Sequence, residues 1–117
     1  MPYYDGFVLA VPKARKADYQ ALAEKAWPMY RSHGALAHVE AWEDDVPDGK
    51  VTSFAMAVKK EPDEAVVFSW IEWPDKESRD RCAAAMMADP ELAAMEMPFD
   101  GKRLIYGGFA PLMVRHV

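Results

Sequence analysis

The segment Val66-Val67-Phe68-Ser69-Trp70-Ile71-Glu72-Trp73 decides how this chain folds. It is rich in β-branched and aromatic residues and is followed by a proline, a pattern typical of a β-strand that ends there. Alternate side chains of a strand point to opposite faces, so Phe68 and Trp70 share one face and Trp73 lies on the other. Both faces are mostly apolar, which predicts that each side of the sheet is covered.

The composition is that of one soluble globular domain, spanning residues 1–117. Of these residues, 51% are hydrophobic and 28% are charged, which suits a single domain with one core. No apolar run approaches the roughly 18–20 residues that a membrane-spanning helix needs, and the N-terminus lacks the basic region of a secretory signal. The single cysteine, Cys82, cannot form an internal disulfide, so we expect a cytoplasmic protein.

The charge balance disfavours nucleic acid as a partner. The net charge is −5, from 14 basic and 19 acidic residues, and affinity for nucleic acids depends on basic side chains that neutralise phosphates. Lys13, Arg15 and Lys16 form a local basic group at the start of a predicted helix, where they could contact an anion. Solvated surface explains the same three residues more simply.

The periodicity of apolar residues predicts the order strand, helix, strand, strand, helix, strand. The predicted strands are 3–11, 36–43, 66–73 and 104–114, and the predicted helices are 14–33 and 75–88, with a short helix after Asp89-Pro90. This order is that of an α+β, ferredoxin-like fold, a four-stranded antiparallel sheet with both helices on one face. Because two helices cannot cover both faces, we expect a homodimer that packs sheet against sheet, as in a dimeric α/β barrel.

Two segments do not fit a regular element. Pro28 lies inside the first predicted helix and removes the hydrogen bond to the carbonyl of Glu24, which predicts a kink or a broken last turn. Segment 51–63 fits either a strand or a helical turn. It is an apolar arm too long for a plain hairpin loop, and we expect it to embrace a partner subunit.

The chain resembles the bacterial YbaA-like family along essentially its whole length. The resemblance is carried by five segments: Tyr4–Phe7, Asp45–Phe54, Val67–Ile71, Met87–Pro90 and Pro98–Phe109. It implies a domain of unknown function in the dimeric α/β-barrel superfamily and brings no catalytic residues with it. That superfamily also includes cofactor-free monooxygenases, lactone isomerases, haem-degrading enzymes and stress-responsive barrels.

One set of residues is a candidate acid–base group. His38, Glu40 and Trp42 alternate on the second predicted strand and therefore share one face, which Asp5 and Tyr106 could join from other strands. A histidine beside a carboxylate can act as a general base. We assign His38 as the acid or base and Glu40 or Asp5 as the group that orients it. The simpler alternative is a partly exposed strand whose polar residues face water.

A second set of residues could shape a ligand pocket. Its members are aromatic residues that offer a wall for a planar ligand and a glycine pair that permits close approach: Trp42, Trp70, Tyr106, Gly107 and Gly108. Core or interface packing explains the same aromatic residues. The sequence lacks the spacing of a metal or phosphate site, so we expect no metal and no bound cofactor.

These residues leave two main functions open. The first is a dimeric barrel that binds a small molecule, between sheet and helices or inside the barrel, with a cofactor-free monooxygenase-like or isomerase-like activity. The second is a non-catalytic, stress-related or regulatory dimer, which predicts a packed interior without a ligand-sized cavity. RNA binding is a weaker third. The residues alone do not distinguish an enzyme from a binding module.

Overall fold

The strands and the two long helices follow one another in the predicted order. The computed structural model describes residues 1–117, with strands β1 (Tyr3–Pro12), β2 (Ala37–Trp42), β3 (Glu64–Trp73) and β4 (Ile105–Phe109). The helices are α1 (Lys16–Ser32), α2 (Phe54–Ala57), α3 (Lys76–Met87) and α4 (Pro90–Ala94). None of them is both long enough and apolar enough to cross a membrane.

The four strands form one antiparallel sheet in the order β2-β3-β1-β4. Strand β3, which contains the apolar segment 66–73, lies in the middle and pairs with β1 along its whole length, from Tyr3 opposite Trp73 to Pro12 opposite Glu64. The prediction of an α+β, ferredoxin-like fold is therefore confirmed.

Side-chain caps set the ends of the helices. The carboxylate of Asp75 accepts a hydrogen bond from the backbone N–H of Ser78 at 2.7 Å, and Asp89 does the same for Glu91 at 2.9 Å. After the C-terminal end of α1, Gly34 adopts a left-handed conformation, with φ +102°. Helix α1 continues through Pro28 to Ser32, so its last turn is not broken.

Strand β4 is shorter than predicted. It was expected to reach residue 114 but ends at Phe109, which pairs with Tyr4. Continued by two residues, this register would bring Pro111 opposite Pro2. Neither proline has a backbone N–H, so the ladder of hydrogen bonds cannot extend past this point.

Helices α1 and α3 cover one face of the sheet, which we call the helix face. Its core consists of two clusters of buried side chains, each of which joins the sheet to a helix. One contains Leu9, Val11, Tyr19 and Val67, and the other contains Ala35, Ile71, Trp73 and Cys82. Trp73 is only 1% exposed.

The opposite side of the sheet, which we call the open face, is only partly covered. The segment that was hard to assign folds onto one end of it: Ser53 caps α2, and Val58 is buried against Ala10 and Val66. The rest of the open face, which this segment does not cover, is apolar and accessible. The exposed fractions there are 44% for Phe68, 44% for Ile105 and 61% for Phe109.

Candidate functional site

The register of the strands brings the candidate polar residues into two adjacent rows on the helix face. The first row, across β2, β3, β1 and β4, contains His38, Ile71, Asp5 and Gly108. The second row contains Glu40, Ser69, Phe7 and Tyr106. Five of the eight residues singled out from the sequence therefore lie on this face in two rows: His38, Glu40, Asp5, Tyr106 and Gly108.

The carboxylate of Glu40 is the centre of a hydrogen-bond network between β2, β3 and α1. Its Oε1 accepts a hydrogen bond from the Tyr19 hydroxyl at 2.6 Å. Its Oε2 accepts one from the Ser69 hydroxyl at 2.8 Å and lies 2.6 Å from Nε2 of His38. Three side chains therefore hold the carboxylate in one orientation, and the bonds to its charged oxygens are the stronger kind.

The ring of His38 is held between two aromatic side chains. It stacks on Trp27, with ring centroids 6.2 Å apart, and meets the edge of Tyr30 at 5.1 Å. Its side chain is only 8% exposed. Because an ionised carboxylate can only accept, the neutral ring donates from Nε2 to Glu40, and Nδ1 keeps its lone pair. No side chain or backbone group of the chain bonds to Nδ1, which is therefore free to accept a proton.

The two tyrosines beside this network stay protonated at neutral pH. Burial, followed by the hydrogen bond to Glu40, raises the pKa of Tyr19 far above its usual range. Burial and the charge of Glu40 raise the pKa of Tyr30 to about 12. Tyr19 is therefore a fixed hydrogen-bond donor to Glu40.

A cavity of about 200 Å³ between the sheet and the helices adjoins the network, and we call it the histidine pocket. Its walls are mostly apolar side chains from the sheet, from α1 and from the loop before β4. The polar residues on its walls are Tyr19, Tyr30, His38, Glu40 and Ser69. An apolar cavity with a few convergent polar groups is the usual form of a small-molecule site.

Asp5 lies apart from His38 and has different partners. Its Oδ2 accepts a hydrogen bond from the indole N–H of Trp73 at 3.0 Å, and its Oδ1 lies 3.2 Å from Nε of Arg79. Burial raises the pKa of Asp5, and the charge of Arg79 opposes this effect. Two strand spacings of about 4.8 Å separate Asp5 from His38 in their common row, so the backbones are about 10 Å apart. The carboxylate beside His38 is therefore that of Glu40, not that of Asp5.

Asp5 belongs to a second cavity, of about 280 Å³, which we call the arginine pocket. Arg79, Cys82 and Tyr106 also line it, and it lies at the β4 end of the same cleft. The two pockets share four lining side chains, Phe7, Tyr30, Ile71 and Met86. The cleft therefore has an apolar middle and a different polar group at each end.

Three of the residues predicted to shape the pocket lie elsewhere. Trp42 is on the helix face but packs on the Leu9 cluster, under the ammonium of Lys16 at 5.0 Å. Trp70 is on the open face, 5.5 Å from Phe68. The side-chain position of Gly107 also points to the open face, toward the ring of Phe109. Gly107 is adjacent to Tyr106 and Gly108 on β4. Because adjacent residues of a strand face opposite sides, Gly107 cannot share their face.

Comparison with known proteins identifies the family. A family model described as "Protein of unknown function (DUF1428)" matches residues 2–101. The uncharacterized protein YbaA of Escherichia coli K12 is 56% identical over 115 residues, which are 97% of this chain and 98% of that protein. The chain belongs to the DUF1428 family. YbaA of Shigella flexneri matches to the same extent, so the resemblance noted in the sequence is confirmed.

Solved structures of low sequence identity share the fold. SnoaB, a cofactor-independent oxygenase from Streptomyces nogalater, superposes with a TM-score of 0.59 at 14% identity, over 97% of this chain and 95% of that one. A dimeric ferredoxin-like protein from an uncultured marine organism superposes with a TM-score of 0.57 at 14% identity, over the full length of both chains. At such low identity the likeness is one of fold.

Three residues of the site were not expected from the sequence. Tyr19 lies among the apolar residues of α1 and Ser69 lies in the apolar segment of β3, so neither stands out as a site residue. Arg79 carried a signal: with Cys82 and Met86 it occupies positions i, i+3 and i+7, so it is a charged residue on the inward face of α3. No group of three or more histidine, cysteine or acidic side chains is placed to hold a metal ion.

Proposed function

We propose that this member of the DUF1428 family is a homodimer that binds a small, mostly apolar molecule in the cleft of the helix face and removes a proton from it with His38. The supporting observation is the position of the Glu40 network. It lies on the wall of an apolar cavity, and it leaves Nδ1 of His38 without a partner inside the chain.

The open face supports the dimer. Its half-exposed apolar side chains, such as Phe68 on β3 and Ile105 on β4, form a surface that extends across the sheet to β4. Burying a large apolar side chain contributes about 1.5–3 kcal/mol, so several of them favour association with a second sheet. The marine protein with the same fold is described as dimeric. The segment around α2, which covers one end of the open face, would then lie beside the partner.

The size of the cavities favours ligand binding over a purely structural module. A non-catalytic dimer predicts a packed interior, whereas this cleft has cavities of about 200 and 280 Å³. Each is below the roughly 300 Å³ at which drug-sized pockets begin, so the ligand has one or two rings or extends through both cavities. RNA binding remains a weaker alternative because the net charge is −5.

The chemistry would be that of a general base without a metal or cofactor. The Nδ1 lone pair of His38 takes a proton from an acidic C–H or O–H bond, and the bonding electrons stay on the ligand as an enolate or phenolate. Glu40 stabilises the imidazolium that forms. Reaction of the enolate with dioxygen would oxidise the ligand, as in a cofactor-free oxygenase, and return of the proton to another carbon would isomerise it. SnoaB, which shares the fold, is described as a cofactor-independent oxygenase.

A generic proton-abstraction reaction tests this proposal without knowledge of the natural ligand. 5-Nitrobenzisoxazole loses one C–H proton to a base while its N–O bond breaks, and the coloured phenolate product is followed by absorbance. We expect the purified protein to accelerate this reaction with saturation kinetics. We expect His38→Gln to reduce kcat by about 10²–10⁴, which is the usual contribution of a positioned base.

The controls separate the site from the rest of the protein surface. Trp70→Phe, on the open face, should keep the wild-type rate, and Glu40→Gln should lower kcat more than it changes KM. A wild-type rate equal to that of His38→Gln would contradict the assignment of His38 as a base.

A further inference from the structure

The arginine pocket contains hydrogen-bond donors that have no acceptor within the chain. An arginine side chain has five N–H donors. Two N–H groups of Arg79 are used, one from Nη2 to the hydroxyl of Tyr3 at 2.9 Å and one from Nη1 to Asp80 at 3.0 Å. Its Nε is buried and forms no hydrogen bond, although Asp5 lies 3.2 Å away as an ion pair. The guanidinium therefore keeps unpaired donors at the pocket wall.

The charge of the same group is already compensated. Arg79 lies between the carboxylates of Asp5 and Asp80, and its guanidinium stacks over the ring of Tyr3 at 4.8 Å. The remaining lining side chains are apolar or neutral. An anionic ligand would meet a site without net positive charge and would pay the cost of desolvation. An uncharged oxygen acceptor would gain a hydrogen bond at lower cost.

The absence of a side chain at Gly108 leaves room for the guanidinium of Arg79. A Cβ atom at Gly108 would lie 2.0 Å from Nη2 of Arg79 and 2.3 Å from the hydroxyl of Tyr3, so any larger residue there would displace the guanidinium. A Cβ atom at the adjacent Gly107 would lie 3.5 Å from the ring of Phe109, an ordinary contact on the open face. Only the first glycine is needed for the position of Arg79.

We propose that Arg79 binds an uncharged carbonyl oxygen of the same ligand, which makes the ligand a small aromatic or alicyclic ketone or a related neutral carbonyl compound. This proposal rests on the function proposed above. The two pockets share Phe7, Tyr30, Ile71 and Met86, so one molecule can place its rings among these side chains with its carbonyl at Arg79 and its acidic bond toward His38. A carbonyl that accepts a hydrogen bond also makes the adjacent C–H bonds more acidic, which suits removal of a proton by His38.

Three probes that share one ring system test the proposal on the full-length protein. They are indane, 1-indanone and indane-1-carboxylate, which differ in having no oxygen, a neutral carbonyl and an anion. Binding is followed by the ¹H–¹⁵N signal of the Trp73 indole, whose N–H donates to Asp5 in the pocket. The indole signal of Trp70, on the open face, is the internal control.

We expect 1-indanone to shift the Trp73 signal and to bind about tenfold more tightly than indane, as one hydrogen bond to a charged donor provides. Arg79→Met and Gly108→Ala should each reduce the affinity for 1-indanone to that for indane. Gly107→Ala should keep the preference. Because Gly108→Ala retains the guanidinium and only displaces it, it tests the position of Arg79 if Arg79→Met does not fold.

The possible failures are distinguishable. Equal affinity for indane and 1-indanone would overturn the role of Arg79 and leave the binding cleft intact. Tightest binding of the carboxylate would overturn the inference of a neutral ligand. Absence of binding by all three probes, with no shift of Trp73, would overturn the proposed function as well.

Discussion

Nε2 of His38 and Oε2 of Glu40 lie 2.6 Å apart on inward positions of one strand. Residues two apart on a strand point to the same face, which explains how a short local sequence produces the pair. The strand alone does not fix its geometry, because β2 is at the edge of the sheet and has only one neighbour. Tyr19 from α1 and Ser69 from β3 fix the carboxylate, and the carboxylate then fixes the ring.

The first prediction concerns the tautomer of His38. In its neutral form the ring should carry its proton on Nε2, since that atom faces a carboxylate, and should leave Nδ1 unprotonated. Long-range ¹H–¹⁵N correlation spectra distinguish the two nitrogens directly. A dominant Nδ1–H form would contradict the assignment of Nδ1 as the proton acceptor. His33 and His116, which make no such contact to a carboxylate, serve as references within the same spectrum.

The second prediction concerns the hydroxyl of Tyr19. Tyr19→Phe keeps the ring in the core but removes one donor from the carboxylate of Glu40, so it should lower the free energy of unfolding by about 1.5–3 kcal/mol. Tyr106→Phe is the matched control, because Tyr106 is 75% exposed and makes no side-chain hydrogen bond. Urea denaturation at pH 7 measures both. Equal stabilities of the two variants would show that the bond from Tyr19 does not stabilise the network.

The third prediction tests the dimer with two neighbouring residues of β4. Ile105 lies on the open face and Tyr106 on the helix face, with exposed fractions of 44% and 75%. Light scattering should give the mass of two chains for the wild type. Ile105→Lys should give one chain, because it places a charge in the sheet-to-sheet interface, and Tyr106→Lys should still give two. A wild-type mass of 13.2 kDa at micromolar concentration would exclude the dimer.

An ion-pair cluster links β3 to the loop that borders the histidine pocket. Both Glu64 oxygens accept hydrogen bonds from Arg103 at 2.7 Å, and Arg103 also contacts Asp100 and the backbone carbonyl of Lys59. The hydrogen bonds from Arg103 hold the pKa of Glu64 below its usual range. Phe99 and Leu104, which flank the two loop residues of the cluster, line the pocket.

The fourth prediction is the pH dependence of this cluster. A carboxyl group whose pKa is lowered by folding contributes stability above its unfolded pKa of about 4.3, and loses it as the pH falls through the lower folded value. The wild type should therefore be more stable than Glu64→Gln at pH 7, and the difference should shrink below about pH 4.3. Glu61→Gln, at an exposed site without a side-chain partner, is the matched control for the loss of a carboxylate. A difference that grows toward acid would have the wrong sign.

Much of the fold could be predicted from local patterns. The alternation of apolar residues in β3 and the caps at Asp75 and Asp89 depend on neighbours along the chain, so the sequence contains them directly. The end of β4 could not be predicted in this way. It depends on its register with β1, which brings Pro111 opposite Pro2, and register is a property of the assembled sheet.

The part of the candidate site that lies on one strand could also be predicted from local patterns. His38 and Glu40 are on one strand, so their shared face follows from the period of two. The partners of the site come from other elements: Tyr19 and Ser69 contact Glu40 across separations of 21 and 29 residues, and Asp5 and Trp73 are 68 residues apart. Local periodicity carries no information on such pairs. It also could not show that Asp5 binds Arg79 rather than His38.

The central claim is that the helix-face cleft is a ligand site with a base at one end. A crystal structure of the full-length protein soaked with 1-indanone tests it most directly. We predict one molecule among Phe7, Tyr30, Ile71 and Met86, with its oxygen at Arg79 and its ring carbons toward Nδ1 of His38. A fully occupied molecule on the open face, with the cleft empty at saturating concentration, would contradict the claim.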